Sequence, residues 1–351
     1  MKIKCYNIHN VVKFKIIDRH NNVKNFLSHL DKAYSYFEVK NVKKPDFVVN
    51  IGPFKENNKN AHFLDERYYV KKNYLFCKDS YKKAKWKLQI NGFEKEMMNV
   101  DVDVNIFGQM FIPGYIVDPL IRLKMSEKRK HMIHAACVSK DDSGYIFAAR
   151  SGVGKTIISL FFVEKGFNFL GDNWIILNNS KTLNYPCPLN VFTYNINEFI
   201  AEKLSYSTKI WLELKGLLFK LTGGYAKIFT PVEVQKIIPD SIVKKSRNKT
   251  LFFLSKGKRV DIRTNNKKDD IISQLVTSSM FEMFPFFIYM LEYSYSFPES
   301  KISLFWENMK RDIKEYLKKV KFYEISVPER ITTSDLNKIY DFVVSLYGRN
   351  N

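Results

Sequence analysis

The chain of 351 residues has little cysteine: Cys5, Cys77, Cys137 and Cys187 are scattered, and no two stand at C-x-x-C spacing. That excludes a zinc knuckle and a disulfide framework and suits a reducing compartment. The first twenty residues contain no sustained apolar run, because Lys, Asp or His recurs every few positions, so no signal-peptide core is expected. A long membrane-spanning run is missing as well. The most apolar stretch, Ile272 to Phe297, carries Glu282, Pro285 and Glu292 and reads as a buried core helix broken near the proline. These absences lead to the expectation of a soluble, cytoplasmic protein with no membrane span. Repeats and low-complexity linkers are absent too.

Acidic residues are also scarce, 36 against 57 Lys and Arg, leaving a formal charge of +21. Such a balance can serve nucleic acid, an anionic membrane surface or an acidic protein partner. The basic residues are spread along the whole chain, however, and Lys, Asn, Ile, Tyr and Phe are all plentiful, as a proteome biased by an AT-rich genome would show. Clusters such as Lys128-Arg129-Lys130 and Lys318-Lys319 lack the interleaved Gly and aromatic residues of an RNA-binding sheet. They read as solvated surface, and nucleic acid is not the expected partner. A basic ATPase acting on nucleic acid rests on charge alone.

The length suits two domains, and the 45% hydrophobic content suffices for a sizeable core. The expected class is mixed α/β. Residues 1–106 read as an N-terminal α+β domain for recognition or support. Its strands are expected at Val11–Ile17, Asp46–Ile51, Tyr68–Phe76, Trp86–Ile90 and Met98–Ile106. A helix from Val23 is expected between them, with Phe26, Leu27, Leu30, Ala33, Tyr34 and Phe37 on one face. Residues 107–130 read as a linker and helix, and 131–351 as the second domain.

That second domain holds the chemistry. Two apolar runs, Ile133–Ser139 and Tyr145–Ala149, flank a turn at Lys140-Asp141-Asp142-Ser143-Gly144. Ser151-Gly152-Val153-Gly154-Lys155-Thr156 follows at once, then a helix from Thr156 to Lys165 ended by Gly166, then a strand Phe167–Leu177 containing Gly171-Asp172-Asn173. Strand, glycine loop, helix, strand is the setting of a phosphate-binding loop. Gly152 and Gly154 let backbone N–H groups turn toward phosphate, Lys155 contacts its oxygens, and the Thr156 hydroxyl ligates Mg²⁺. Arg150, Ser151 and Val153 complete the expected nucleotide contacts. Ala149 stands where the general pattern has its first Gly, which is tolerable at negative φ. Asp172, seventeen positions after Lys155, supplies a carboxylate for the metal or for a hydroxyl proton. His134 lies on the strand before the hairpin. Farther on, Thr230-Pro231-Val232-Glu233 has the pattern of a capping box. Leu251–Leu254 and Phe322–Val327 read as strands, and Thr333–Tyr347 as an amphipathic helix.

His134-Ala135-Ala136, the hairpin, the SGVGKT loop and Gly171-Asp172-Asn173, taken in register, resemble the HPr kinase/phosphorylase-like proteins of the phosphoenolpyruvate carboxykinase superfamily. The motifs cover about residues 130 to 178, with a weaker continuation to about 345. The divergent relatives with an extra N-terminal region are the nearer likeness. The resemblance implies a P-loop kinase domain with a mixed sheet, ATP or another nucleoside triphosphate with Mg²⁺ as cofactors, and transfer to a hydroxyl of a peptide or protein, most readily Ser. It places His134 beside the transferred phosphate and makes Lys155, Asp172 and position 173 catalytic, with Thr156 and Asp172 at the metal. Asn173 departs from the family's second Asp and cannot accept a proton. Arg150 replaces an acidic loop residue, and the later acidic, Gly-rich signature is absent, so HPr itself is not the expected acceptor. Glu198 stands at a workable distance for a metal-site acid, without matching surroundings. A catalytically weak nucleotide-sensing protein is the alternative, a small-molecule kinase a further one, and a homo-oligomer is compatible with either.

Overall fold

The computed structural model describes residues 1–19, 30, 32–191, 198–221, 230–284 and 286–348. The chain divides into two compact units, one of Met1–His131 with Ser279–Asp312, the other of Met132–Ser278 with Ile313–Asn351. Both are built on mixed nine-stranded sheets, so the class is mixed α/β.

In the first unit the strands are β1 (Lys2–Ile8), β2 (Val12–Asp18), β3 (Glu38–Val39), β4 (Phe47–Ile51), β5 (His62–Leu64), β6 (Tyr68–Lys71), β7 (Tyr74–Tyr81), β8 (Ala84–Asn91) and β9 (Met98–Val104). They lie in the order β3-β1-β2-β4-β9-β8-β7-β6-β5. β2, β4 and β9 run parallel, and the remaining neighbours are antiparallel. The alternation Val12, Phe14, Ile16 buries one face of β2, where Phe14 stacks on Tyr6 and Phe47 with centroids 4.8 Å apart in each pair. The run expected as one strand, Tyr68–Phe76, is instead a hairpin that turns at Asn73, whose φ of 60° suits an Asn in a tight turn. The helix expected from Val23 falls largely on residues outside those described; Leu30, Tyr34 and Phe37 of its apolar face are buried.

The expected boundaries need correction. Residues 107–130, including the helix Asp118–Glu127, belong to the first unit rather than to a linker, and so does the segment 279–312, which was expected in the second domain. Its helix Phe286–Ser296 buries Phe286, Tyr289, Met290 and Tyr293, an inward face at helical spacing. Tyr289 Oη accepts from Trp86 Nε1 at 3.1 Å, and Tyr293 Oη donates to Glu94 Oε1 at 2.7 Å. The stretch expected as one broken helix is thus two, Lys268–Phe281 and Phe286–Ser296, with Pro285 outside the described residues.

In the second unit the strands are β10 (His131–Ile133), β11 (Ala135–Lys140), β12 (Ser143–Ala148), β13 (Asn168–Gly171), β14 (Ile175–Asn178), β15 (Lys181–Leu183), β16 (Leu189–Val191), β17 (Thr230–Val232), β18 (Lys245–Lys256), β19 (Asp261–Thr264) and β20 (Lys321–Val327). β16 and β17 form a separate pair. The main order is β10-β14-β15-β18-β12-β11-β13, with β20 also on β18 and β19 on β20. Twelve-residue β18 carries β12 in parallel, β15 antiparallel at its start and β20 parallel toward its end. β11 and β12 turn through Asp141 and Asp142, at φ 45° and 60°, a two-residue loop of the type that matches strand twist. Gly144, expected in the turn, is in β12; a Cβ there would lie 2.5 Å from Ser246 Oγ and 2.9 Å from the Arg247 carbonyl. Phe147 stacks on Phe252 at 5.0 Å and meets Phe162 of the helix Lys155–Glu164 at 5.4 Å. The expected capping box at 230–233 is not formed, since Thr230–Val232 pairs with β16 and Glu233 makes no side-chain cap.

One polar contact of the first unit sets its response to acid. Buried Asp312 accepts from Arg129 Nη2 at 3.2 Å and from His131 Nε2 at 3.0 Å. Burial opposes its ionisation, but the bonds from His131 and Arg129 outweigh that and hold its pKa below the ordinary 3.8. Burial lowers the pKa of His131 below 6.5, with Asp312 opposing. Below pH 6.5 the unfolded chain therefore takes up a proton that folded His131 refuses, and stability falls; Asp312 adds to the loss as pH drops below 3.8. Asp312→Ala is expected to cost about 1–3 kcal/mol at pH 7 in urea denaturation, because the buried imidazole loses its acceptor. The same titration of the wild-type protein should show stability declining on acidification from pH 6.5.

Candidate functional site

The loop after β12 is placed by two anchors. Val153 is buried in the core of the second unit, whereas Arg150, Ser151 and Gly152 are exposed. Gly152 has φ 83° and Gly154 φ 126°, conformations that a side chain would strain, and a Cβ at Gly154 would come within 2.4 Å of Ile331 Cδ1. Ala149 is not among the residues of positive φ, which is why it can stand in place of glycine. The helix Lys155–Glu164 begins directly behind the loop, so its unsatisfied N–H groups and positive dipole end face the turn.

Lys155 and His134 are brought together. The Lys155 ammonium donates to the carbonyls of Ala149 at 2.9 Å and Arg150 at 3.3 Å, and its Nζ lies 2.9 Å from His134 Nε2. An ammonium has only hydrogens to offer, so Nε2 must be the acceptor and the imidazole proton belongs on Nδ1. Both side chains are buried, and the rings of Trp174 and His134 meet in a T-shaped pair with centroids 5.4 Å apart.

Thr156 and Asp172 form the second pair. Thr156 Oγ1 donates to Asp172 Oδ2 at 2.6 Å. Oδ1 is buried without a hydrogen-bond partner among the described residues. Burial raises the Asp172 pKa above 3.8, against the pull of the Thr156 hydroxyl and the Lys155 charge. A buried carboxylate beside a Thr hydroxyl, with one oxygen lacking a hydrogen-bond partner among the described residues, is a donor set that suits Mg²⁺, which takes one or two protein ligands and completes its shell from phosphate and water.

The stretch expected as one strand through Asp172 is broken there. β13 ends at Gly171 and pairs with β11, the chain bends through Asp172 and Asn173, and β14 then pairs with β15 elsewhere in the sheet. Asn173 has φ 75°, a left-handed conformation that Asn tolerates better than most residues, and its side chain is partly exposed. A Cβ at Gly171 would meet the Trp174 carbonyl at 2.5 Å, so this bend needs glycine. Trp174 and Ile331 had no sequence signal pointing to the loop. Glu198 opens the helix Glu198–Lys203, and its side chain is outside those described.

No protein-family model matches the chain, and no curated protein matches it. Among solved structures it is similar to the Hpr(Ser) kinase/phosphatase from Coxiella burnetii, at 14% identity over 44% of this chain and 98% of that one, with a TM-score of 0.22. That is a weak structural neighbour, and the reading of the site rests on its own residues. Among the described residues no single helix is long and apolar enough to cross a membrane.

The raised pKa of Asp172 means that its ionised form costs the fold stability above pH 3.8, a cost that disappears as the group protonates on acidification. Without nucleotide or metal, Asp172→Asn is expected to melt at or above the wild-type temperature at pH 7, with the difference shrinking toward pH 4. Thermal melts across that range, repeated with Mg²⁺ and ATP, should show stabilisation of the wild type and its loss in the variant.

Proposed function

We propose that this chain is an ATP- and Mg²⁺-dependent kinase that transfers a phosphoryl group to a hydroxyl, that of a Ser in a peptide or protein. The observation that carries the reading is the pairing of Lys155, behind a loop of two left-handed glycines, with a Thr156–Asp172 contact that leaves one buried carboxylate oxygen unsatisfied.

Each residue has a definable task. The backbone N–H groups around Gly152 to Thr156 and the Lys155 ammonium bind the terminal phosphates, exchanging the ammonium's contacts to Ala149, Arg150 and His134 for phosphate oxygens. Thr156 and Asp172 would hold Mg²⁺, which supplies charge neutralisation on those oxygens. The acceptor hydroxyl oxygen forms the new bond to the γ-phosphorus as the bond to the bridging oxygen breaks, and the hydroxyl proton needs a base. Asn173 cannot take it. Asp172 is the carboxylate of the site that can, through Oδ1, the oxygen not bonded to Thr156.

Asn173 also motivates a second reading, a nucleotide-sensing protein in which binding does not lead to turnover. The two part company in one assay, with purified protein, ATP, Mg²⁺ and Ser-containing peptides or proteins encoded beside this chain. The kinase reading expects labelled phosphoserine, reduced about a hundredfold or more by Lys155→Ala. Asn173→Asp is expected to raise the rate. Nucleotide binding without transfer by either the wild type or Asn173→Asp would leave the sensing reading in its place.

A further inference from the structure

We infer that the helix Tyr206–Leu221 is a docking element for an anionic lipid surface, lying flat on it. The inference is independent of the nucleotide site and shares no residue with it.

The orientation of this helix is fixed from its inner side. Leu212 is buried, and Lys215 donates to Thr230 Oγ1 of β17 at 3.0 Å. Its outer side is apolar where a solvated helix would be polar. Tyr206, Ile210, Leu214, Leu217 and Leu221 recur at three- and four-residue spacing, so they form one stripe, and Trp211 borders it. All are exposed, Tyr206 by 80%, Leu221 by 74% and Trp211 by 59%. A continuous exposed stripe of this kind marks an interaction surface rather than scattered surface residues.

Charge and composition identify the occupant. Two copies of a chain with charge +21 repel each other, whereas anionic headgroups attract each of them. Lys209 and Lys220 are exposed on the same border of the stripe, with Glu213 between them. An apolar face carrying Trp and Tyr and flanked by lysines is the arrangement that seats a helix at the boundary of headgroups and acyl chains. The helix is too short to span a hydrocarbon core of about 30 Å.

The test is co-sedimentation of the full chain with vesicles of phosphatidylcholine alone and of phosphatidylcholine with phosphatidylglycerol. Binding is expected to the anionic vesicles and to be much weaker to the neutral ones. It should drop about tenfold or more in Leu214→Glu/Leu217→Glu and severalfold in Lys209→Glu/Lys220→Glu, with steep salt dependence. The emission of Trp211 should shift to the blue on binding, a shift lost in Trp211→Phe. Circular dichroism and thermal melts matching the wild type establish that the variants fold. Absence of binding to either vesicle overturns the inference, as does binding that ignores the Leu substitutions. So does a solution dimer, seen by light scattering, that Leu214→Glu/Leu217→Glu dissolves, since a second copy would then cover this face.

Discussion

The buried ammonium of Lys155 is the constraint around which the second unit is arranged. A cation removed from water needs acceptors placed beforehand, and they come from parts of the chain that are far apart in sequence: His134 between β10 and β11, and the carbonyls of Ala149 and Arg150 after β12. Holding these in place requires β11 and β12 to be paired, and it requires the helix Lys155–Glu164 to start where it does. That helix is held in turn by Phe162 against Phe147, Phe167 and Tyr340. The aromatic core thus positions a charge, and the charge shapes the loop.

The same economy governs Asp172. Its carboxylate is buried at a bend that exists because Gly171 admits the Trp174 carbonyl at close range and Asn173 accepts a left-handed conformation. Asn at position 173 is therefore well suited to its backbone, even though its amide cannot take a proton. Backbone geometry and proton chemistry make different demands on that position, which is where the kinase and sensing readings separate.

Local features of this chain were legible in the sequence. Strand, loop and helix around Ser151–Thr156 depend on glycine placement and short-range periodicity, and Gly166 ends the helix with φ 83° as a C-terminal glycine does. Asp172 could be singled out from its place on the strand after the loop, and His134 through the family resemblance of the motifs in register. The contact of His134 with Lys155, the burial of Asp172 Oδ1 and the packing of Trp174 against the imidazole could not, since each depends on how strands are ordered in the sheet. Phe167–Leu177 looked like one strand because its apolar run is nearly continuous, and only the pairing of β13 and β14 with different neighbours reveals the break. The placement of 279–312 rests on pairs such as Phe93 with Tyr293, two hundred residues apart, which no local pattern announces.

That placement has a consequence for biosynthesis. Each unit is assembled from two separated stretches, and the chain passes between units three times, after residues 131, 278 and 312. A ribosome that has made the glycine loop has not yet made β20, which pairs with the central strand β18, nor the tyrosines that close over Trp86 and Phe93. The first unit has all nine strands by residue 104 yet is not complete until residue 312, and the second waits for residues beyond it, so neither matures while its first stretch alone has emerged. The nascent chain must carry the second sheet without β20, and the first without the helix Phe286–Ser296, until its last fifth emerges.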